Sequence, residues 1–149
     1  MRAVVQRVSR ASVQVDGNTS GEIANGLCVL LSVGVDDGDD DAVALADKIA
    51  ELRIFRDDAG QMNRSLIETG GSILLISQFT LHGDARKGRR PSFIAAAREE
   101  RAKPLYERVG QLFERRGITV AYGIFGAQMT VEIVNEGPVT ILLDTKKVF

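Results

Sequence analysis

Ile73-Leu74-Leu75-Ile76-Ser77-Gln78-Phe79-Thr80-Leu81 is the stretch on which the reading of this chain turns. Four consecutive aliphatic residues announce a strand, and the alternation continued over 72–79 sends Ser77, Phe79 and Leu81 one way and Gln78 and Thr80 the other. A Gly-rich basic loop follows at once, so backbone N–H groups and small hydroxyls sit at the mouth of a sheet. A second polar interruption, Asn135-Glu136-Gly137-Pro138-Val139-Thr140, lies between two apolar runs. Pro138 has no backbone donor and a fixed φ, which restricts it to an edge, bulge or turn.

Outward from these segments, residues 2–8 and 11–16 read as paired strands with a turn at Gly17-Asn18, followed by strands at 21–24 and 27–34. The period then changes. Val43, Leu45, Ala46, Ile49, Ala50 and Leu52 recur at helical spacing between Asp39 and Phe55, with Asp39, Asp40 and Asp41 favourable at the positive end of the helix. After an Asp57-Asp58-Ala59-Gly60 turn and the 72–79 strand, Ser92 caps a short turn through Ala97. Pro104 opens a longer helix with Leu105, Val109, Leu112 and Phe113 on its apolar face, closed by Gly117. Strands near 128–134 and 139–145 complete the chain. Grouped strands with helices between them predict α+β: a single domain over 1–149, with a largely antiparallel, barrel-like sheet and helices packed on it.

Composition narrows the chemistry. At 149 residues, 44% apolar and 26% charged, the chain has the balance of one globular domain with a sizeable core. No apolar run reaches the ~18 to 20 residues of a membrane span, and Met1-Arg2-Ala3-Val4-Val5 enters a strand without a signal-peptide pattern, so the expected location is cytoplasmic. One cysteine, Cys28, and one histidine, His82, are too few for a zinc site of nitrogen and sulfur ligands. Cys28 lies in Leu27-Cys28-Val29-Leu30-Leu31 and reads as a buried thiol; His82 reads as a loop residue, packed or exposed, rather than a base. Net charge is −1, so attraction to a polyanion has to come from a local patch. Arg86-Lys87-Gly88-Arg89-Arg90 is that patch, with four cations in five positions. A solvated loop is the competing reading.

Without paired carboxylates or a second histidine, a hydrolytic site at Ser77 to Leu81 has to use backbone N–H donors, with those of Phe79 and Thr80 as candidates. An edge strand with polar decoration is the plainer alternative. No phosphate-binding loop or dinucleotide fingerprint is present, and no cofactor is expected.

Taken together, Met1-Arg2-Ala3-Val4-Val5-Gln6-Arg7-Val8, Met62-Asn63-Arg64-Ser65-Leu66, Ser77-Gln78-Phe79-Thr80-Leu81, the loop from Gly83 to Phe93, and Asn135 to Thr140 closely resemble the D-aminoacyl-tRNA deacylase family, also described by action on D-tyrosyl-tRNA. The resemblance spans the chain, with no departure inside either polar motif. It implies a metal-free homodimeric hydrolase that cleaves the ester of D-aminoacyl-tRNA and of mischarged glycyl-tRNA. By matching, Ser77, Gln78, Phe79 and Thr80 form the catalytic segment. Gly137 and Pro138, joined by a cis bond in the family, enter the partner's pocket and reject L substrates. Arg86, Lys87, Arg89 and Arg90 become candidates for holding the tRNA acceptor end. His82 stands where the family varies, which argues against a catalytic role for it.

Overall fold

The computed structural model describes residues 1–149. Strand β1 (Arg2–Val15) turns through Asp16 and Gly17 into β2 (Asn18–Ile23), and β3 (Gly26–Ser32) follows. Helix α1 (Asp39–Glu51) leads to a small two-stranded ribbon, β4 (Phe55–Arg56) and β5 (Met62–Arg64), and to the one-turn α2 (Leu66–Thr69). After β6 (Ser72–Ser77) comes a 3₁₀ helix (Phe79–His82), then α3 (Glu99–Arg115), β7 (Val120–Tyr122) and β8 (Thr130–Asp144).

The main sheet runs β2-β1-β3-β6-β7, with β8 on the other edge of β1. β1 pairs antiparallel with β2, β3 and β8, whereas β3–β6 and β6–β7 are parallel. The sheet curls until β2 meets β7: Ser20 Oγ donates to the Tyr122 carbonyl at 3.0 Å, and a Cβ on Gly21 would stand 2.7 Å from that oxygen. The expected α+β, barrel-like architecture is thus present, and its sheet is mixed.

The aliphatic run of β6 is buried on both faces. Ile73 and Leu75 join a core of 21 buried residues with Leu27, Leu31, Leu45, Ile49, Val109 and Phe113, under α1 and α3. Leu74 and Ile76 face inside the curl with Val8, Val13, Ile23 and Cys28. A strand covered on both sides needs no polar alternation, which is why these four residues are continuous. Cys28 is fully buried as expected, and desolvation pushes its thiol up to about 12.

Several boundaries differ from the sequence reading. Residues 2–8 and 11–16 form one continuous strand rather than a pair, and the hairpin turn is Asp16-Gly17, both at positive φ (50° and 77°). α1 stops at Glu51 because Phe55 and Arg56 pair with Arg64 and Met62. The short turn expected after Ser92 is a single hydrogen-bonded one, closed by the Ala96 N–H on the Phe93 carbonyl at 3.0 Å, and Ser92 does not cap it. Its N–H and carbonyl exchange bonds of 2.9 and 2.8 Å with Asp84, closing the basic loop like a hairpin. α3 begins at Glu99, so Pro104 stands inside the helix rather than in its first turn, and Gly117 follows its end at φ +77°. The last two expected strands are one, β8, with an excursion: Thr140 faces Gln6 and Asn135 faces Val8, so residues 136–139 bulge out opposite Arg7.

Gly26 of β3 has no room for a side chain, since a Cβ would sit 1.9 Å from the Ser72 carbonyl oxygen of β6. Gly26→Ala is therefore expected to lose at least about 1–3 kcal/mol, read as a lowered urea midpoint.

Candidate active site

The parallel strands β3 and β6 end side by side, and a cavity of about 410 Å³ opens beyond their carboxyl ends. Ser32 and Val33 leave β3 on one wall; Ser77, Gln78 and Phe79 leave β6 on another. Ala102 and Tyr106 of α3 close a third side, with Phe125 and Met129 from the segment between β7 and β8. Tyr106 is fixed by donating to the Leu75 carbonyl at 2.8 Å, and burial raises its phenol well above the ordinary range.

The strand expected over 72–79 stops at Ser77. The Gln78 N–H donates to the Leu31 carbonyl at 2.7 Å, the last bond of the ladder, and the backbone then tightens into the 3₁₀ helix. The turn is secured by the Leu81 N–H to the Gln78 carbonyl (3.1 Å) and the Gly83 N–H to the Thr80 carbonyl (2.9 Å). Phe79 and Thr80 are its first two residues, so their N–H groups have no acceptor inside it. Gln78 and Thr80 do come together: the Gln78 amide donates to the Thr80 hydroxyl. Thr80 itself is exposed at the rim rather than part of the cavity wall, and no base touches its hydroxyl. Phe79 packs edge-on against Phe93 with centroids 5.2 Å apart, linking the cavity to the end of the basic loop.

His82 is neither a catalytic base at Thr80 nor solvent-exposed. It is 8% exposed, and its Nδ1 lies 2.6 Å from the hydroxyl of buried Ser32, which also reaches the Phe79 carbonyl at 3.3 Å. Burial, then Arg2, lowers its pKa below the ordinary 6.5; the Met1 ammonium adds to this, while Asp37 and Asp144 oppose it.

In the basic loop, Asp84 takes Arg86 on both oxygens at 2.9 and 2.7 Å, which holds its carboxyl far below the ordinary carboxylate range. Lys87, Arg89 and Arg90 form no ion pair. Gly137 and Pro138 stand at the β8 excursion and line no part of this cavity. Their peptide bond is cis, and Gly137 has φ +117°. Beneath them Arg7, 2% exposed, donates to the Ile54 carbonyl at 2.5 Å, and its Nε lies 2.7 Å from Glu136 Oε2 at an angle that makes an ion pair without a hydrogen bond. Asn135 clips the excursion by donating to the carbonyls of Arg7 (2.9 Å) and Val139 (3.1 Å).

The family description that matches residues 4–144 is D-Tyr-tRNA(Tyr) deacylase. The chain belongs to that family. Among deacylase-family relatives, the D-aminoacyl-tRNA deacylase of Koribacter versatilis (strain Ellin345) is 59% identical over the full length of both chains. That of Thermus aquaticus is 51% identical, covering 99% of this chain and 97% of its own. Of solved structures, the c-Myc DNA Unwinding Element Binding Protein superposes with TM-score 0.90 at 40% identity, covering 97% of this chain and 99% of its own. A probable eukaryotic D-amino acid tRNA deacylase shares the fold, with TM-score 0.83 at 19% identity over 95% and 97%.

Against the family motifs, sequence reasoning did not single out Ser32, Tyr106, Phe125 or Met129. Each sits in an apolar run or a glycine-rich connection whose pattern says only that it is near a core. Arg7 did carry a signal, a cation where the alternation of β1 asks for an apolar residue.

His82 gives the site a pH dependence. Folding lowers its pKa, so on acidification the unfolded chain takes up this proton, from about 6.5, before the folded one. Its contribution to stability is complete above that value and declines as pH falls through it. Urea midpoints of the wild type are expected to fall between pH 7.5 and 5, and His82→Asn to show a shallower decline.

Proposed function

We propose that this chain hydrolyses the ester joining a D-amino acid to the 3′ end of tRNA, and that of mischarged glycyl-tRNA, releasing free amino acid. The observation that carries the reading is the cavity at the ends of β3 and β6, into which the family segment Ser77-Gln78-Phe79 projects beside two backbone N–H groups without helical acceptors. Water adds to the ester carbonyl, and the Phe79 and Thr80 N–H groups receive the developing oxyanion. The bond to the ribose oxygen then breaks, and the oxygen leaves with a proton delivered through the vicinal 2′-hydroxyl. The RNA thereby supplies the acid–base group that the protein side chains lack, without a metal or other cofactor. Gln78 holds the terminal ribose, and Ser77 shapes the pocket. Lys87, Arg89 and Arg90, with Arg86 braced on Asp84, meet acceptor-end phosphates.

Specificity in this proposal is chiral. Gly137 and Pro138 of one subunit enter the pocket of its partner in a homodimer, placing backbone where the L side chain has to go. Discrimination is then by rejection, and glycine, with no Cβ, passes. Two features support the cross-subunit arrangement: Gly137 and Pro138 miss the cavity of their own chain, and β8 leaves one edge unpaired along its length while exposing Val134 and Leu142. Unpaired edges with apolar side chains are ordinarily covered. The cytoplasm, where charged tRNA is found, is the proposed location; no helix is long and apolar enough to cross a membrane.

A second reading is favoured by one observation, the fit to the c-Myc DNA Unwinding Element Binding Protein. A nucleic-acid binder using the basic loop shows affinity that falls steeply with salt and gives no product.

Release of amino acid from matched D-, L- and glycyl-tRNA at catalytic protein concentration, with EDTA present, separates the two. The D and glycyl esters are expected to turn over and the L ester to be spared. Gly137→Ala brings a Cβ within 2.9 Å of Val139 Cγ2 and 3.0 Å of the Arg7 guanidinium, and is expected to raise L-ester hydrolysis relative to D. Unchanged L exclusion in a folded dimer would sink this account of the filter.

Loss of a covalent nucleophile costs on the order of 10⁶ in kcat. Thr80→Val keeps the backbone N–H and is expected to lose less than about a hundredfold. Complete loss with folding intact assigns the hydroxyl a covalent role instead.

A further inference from the structure

A polar chain that the proposed reaction does not use runs from Ser32 on the cavity wall to His82 behind it. Ser32 and His82 are 2% and 8% exposed, in surroundings where an unsatisfied polar group is costly. The Ser32 hydroxyl has one proton and two neighbours, His82 Nδ1 at 2.6 Å and the Phe79 carbonyl at 3.3 Å. A carbonyl only accepts. Both contacts are therefore hydrogen bonds only if the hydroxyl donates to Phe79 and receives a proton from the ring, which places the imidazole hydrogen on Nδ1. With the hydrogen on Nε2 alone, Nδ1 takes the hydroxyl proton, and the Phe79 carbonyl keeps only the His82 N–H that the 3₁₀ helix gives it.

The Phe79 carbonyl shares a planar peptide with the Thr80 N–H, and this peptide is trans. In a trans peptide the C=O and N–H point in opposite directions. A hydrogen bond that pins the oxygen thus also fixes the direction of the N–H, with the hydrogen facing away from Ser32. Fixed donors act on an oxyanion without reorganising during the reaction, whereas a donor free to rotate with its peptide loses part of that effect.

We propose that Ser32 and His82 are a positioning pair: His82 Nδ1–H donates to Ser32, Ser32 donates to the Phe79 carbonyl, and the plane of that peptide holds the Thr80 N–H in line with the reacting ester. The pair touches no reacting atom. Its role rests on the deacylase reading, since that reading gives the Thr80 N–H its task. Gly34 leaves room for the ring: a Cβ there would lie 3.0 Å from His82 Nε2.

Because the chain has a single histidine, its tautomer is readable without assignment ambiguity. In ¹⁵N-labelled full-length protein at neutral pH, long-range ¹H–¹⁵N correlation is expected to show the hydrogen on Nδ1, and an Nε2–H tautomer overturns the proposal. In D-aminoacyl-tRNA hydrolysis, Ser32→Ala and His82→Leu are each expected to lower kcat about ten- to a hundredfold, the scale of a misplaced catalytic group. KM should stay within about twofold if only transition-state interactions are lost. The double variant should be no worse than the worse single one, because the two residues act in series. His82→Asn, which can put an amide N–H near the Nδ1 position, should retain most of kcat. Unchanged kcat, additive losses, or equal losses in the Asn and Leu variants each overturn the pair.

Should His82→Leu not fold, Ser32→Ala removes a single hydroxyl and gives a readout besides turnover. Faster hydrogen exchange at the Thr80 amide is expected, and unchanged exchange counts against the clamp. Absence of turnover by the wild type removes the deacylase reading, while the tautomer and the Thr80 exchange still report whether the clamp exists.

Discussion

The parallel pairing of β3 with β6 is the constraint from which the rest of this structure follows. Both strands are buried on two faces, so one side needs α1 and α3 as cover and the other needs the sheet to curl back on itself. Two separate buried clusters result, sharing these strands as a common wall. Parallel neighbours also end at the same level. Their carboxyl ends lie together, and ligand sites in open sheets recur at such ends because the departing loops diverge and leave a crevice. Here the diverging segments are Ser32-Val33 and Ser77-Gln78-Phe79, and the crevice is the cavity.

At that crevice the backbone changes its hydrogen-bonding rule. Through Ser77 it follows the ladder, and from Phe79 it follows a 3₁₀ helix. The two N–H groups at the changeover belong to neither pattern. Buried and half-buried polar groups nearby find partners, though Arg7 Nε is held by an ion pair alone. Ser32 and His82 meet behind the turn, Asn135 spans the β8 excursion, and Arg7 combines an ion pair with a bond to the Ile54 carbonyl. A guanidinium buried to 2% beneath Gly137 is costly to desolvate and tolerable only with such partners. The two polar motifs thus rest on buried polar supports contributed by distant strands.

Much of the framework was legible because it is local. Continuous apolar runs located β3 and β6, helical spacing located α1 and α3, and the positive φ of Gly117 is the helix-ending geometry expected of glycine there. The misreadings share a cause. Residues 52–55 keep an apolar character that suits a helix, yet pairing of Phe55 with Arg64 makes them a ribbon. Ser92 precedes a turn over 93–96 without capping it, because its backbone is taken by Asp84. The polar Asn135 to Thr140 segment looked like a break between strands, but pairing with β1 on both sides of it makes β8 continuous. In each case a partner distant in the chain won over a local preference.

The sequence by itself determined the α+β class, the buried thiol of Cys28, the location of the cationic loop and the two polar segments by which the chain resembles its family. These follow from composition, period and short motifs, all of which act over neighbouring residues. Only the tertiary structure decided that β6 ends at Ser77, that Thr80 stands at the rim while Phe125 and Met129 help form the wall, and that Gly137 and Pro138 lie away from the cavity of their own chain. It also moved His82 from an expected loop to a buried partner of Ser32, fifty residues away in the chain. Such contacts depend on which strand lies beside which, and that order is a property of long-range pairing that no local pattern encodes.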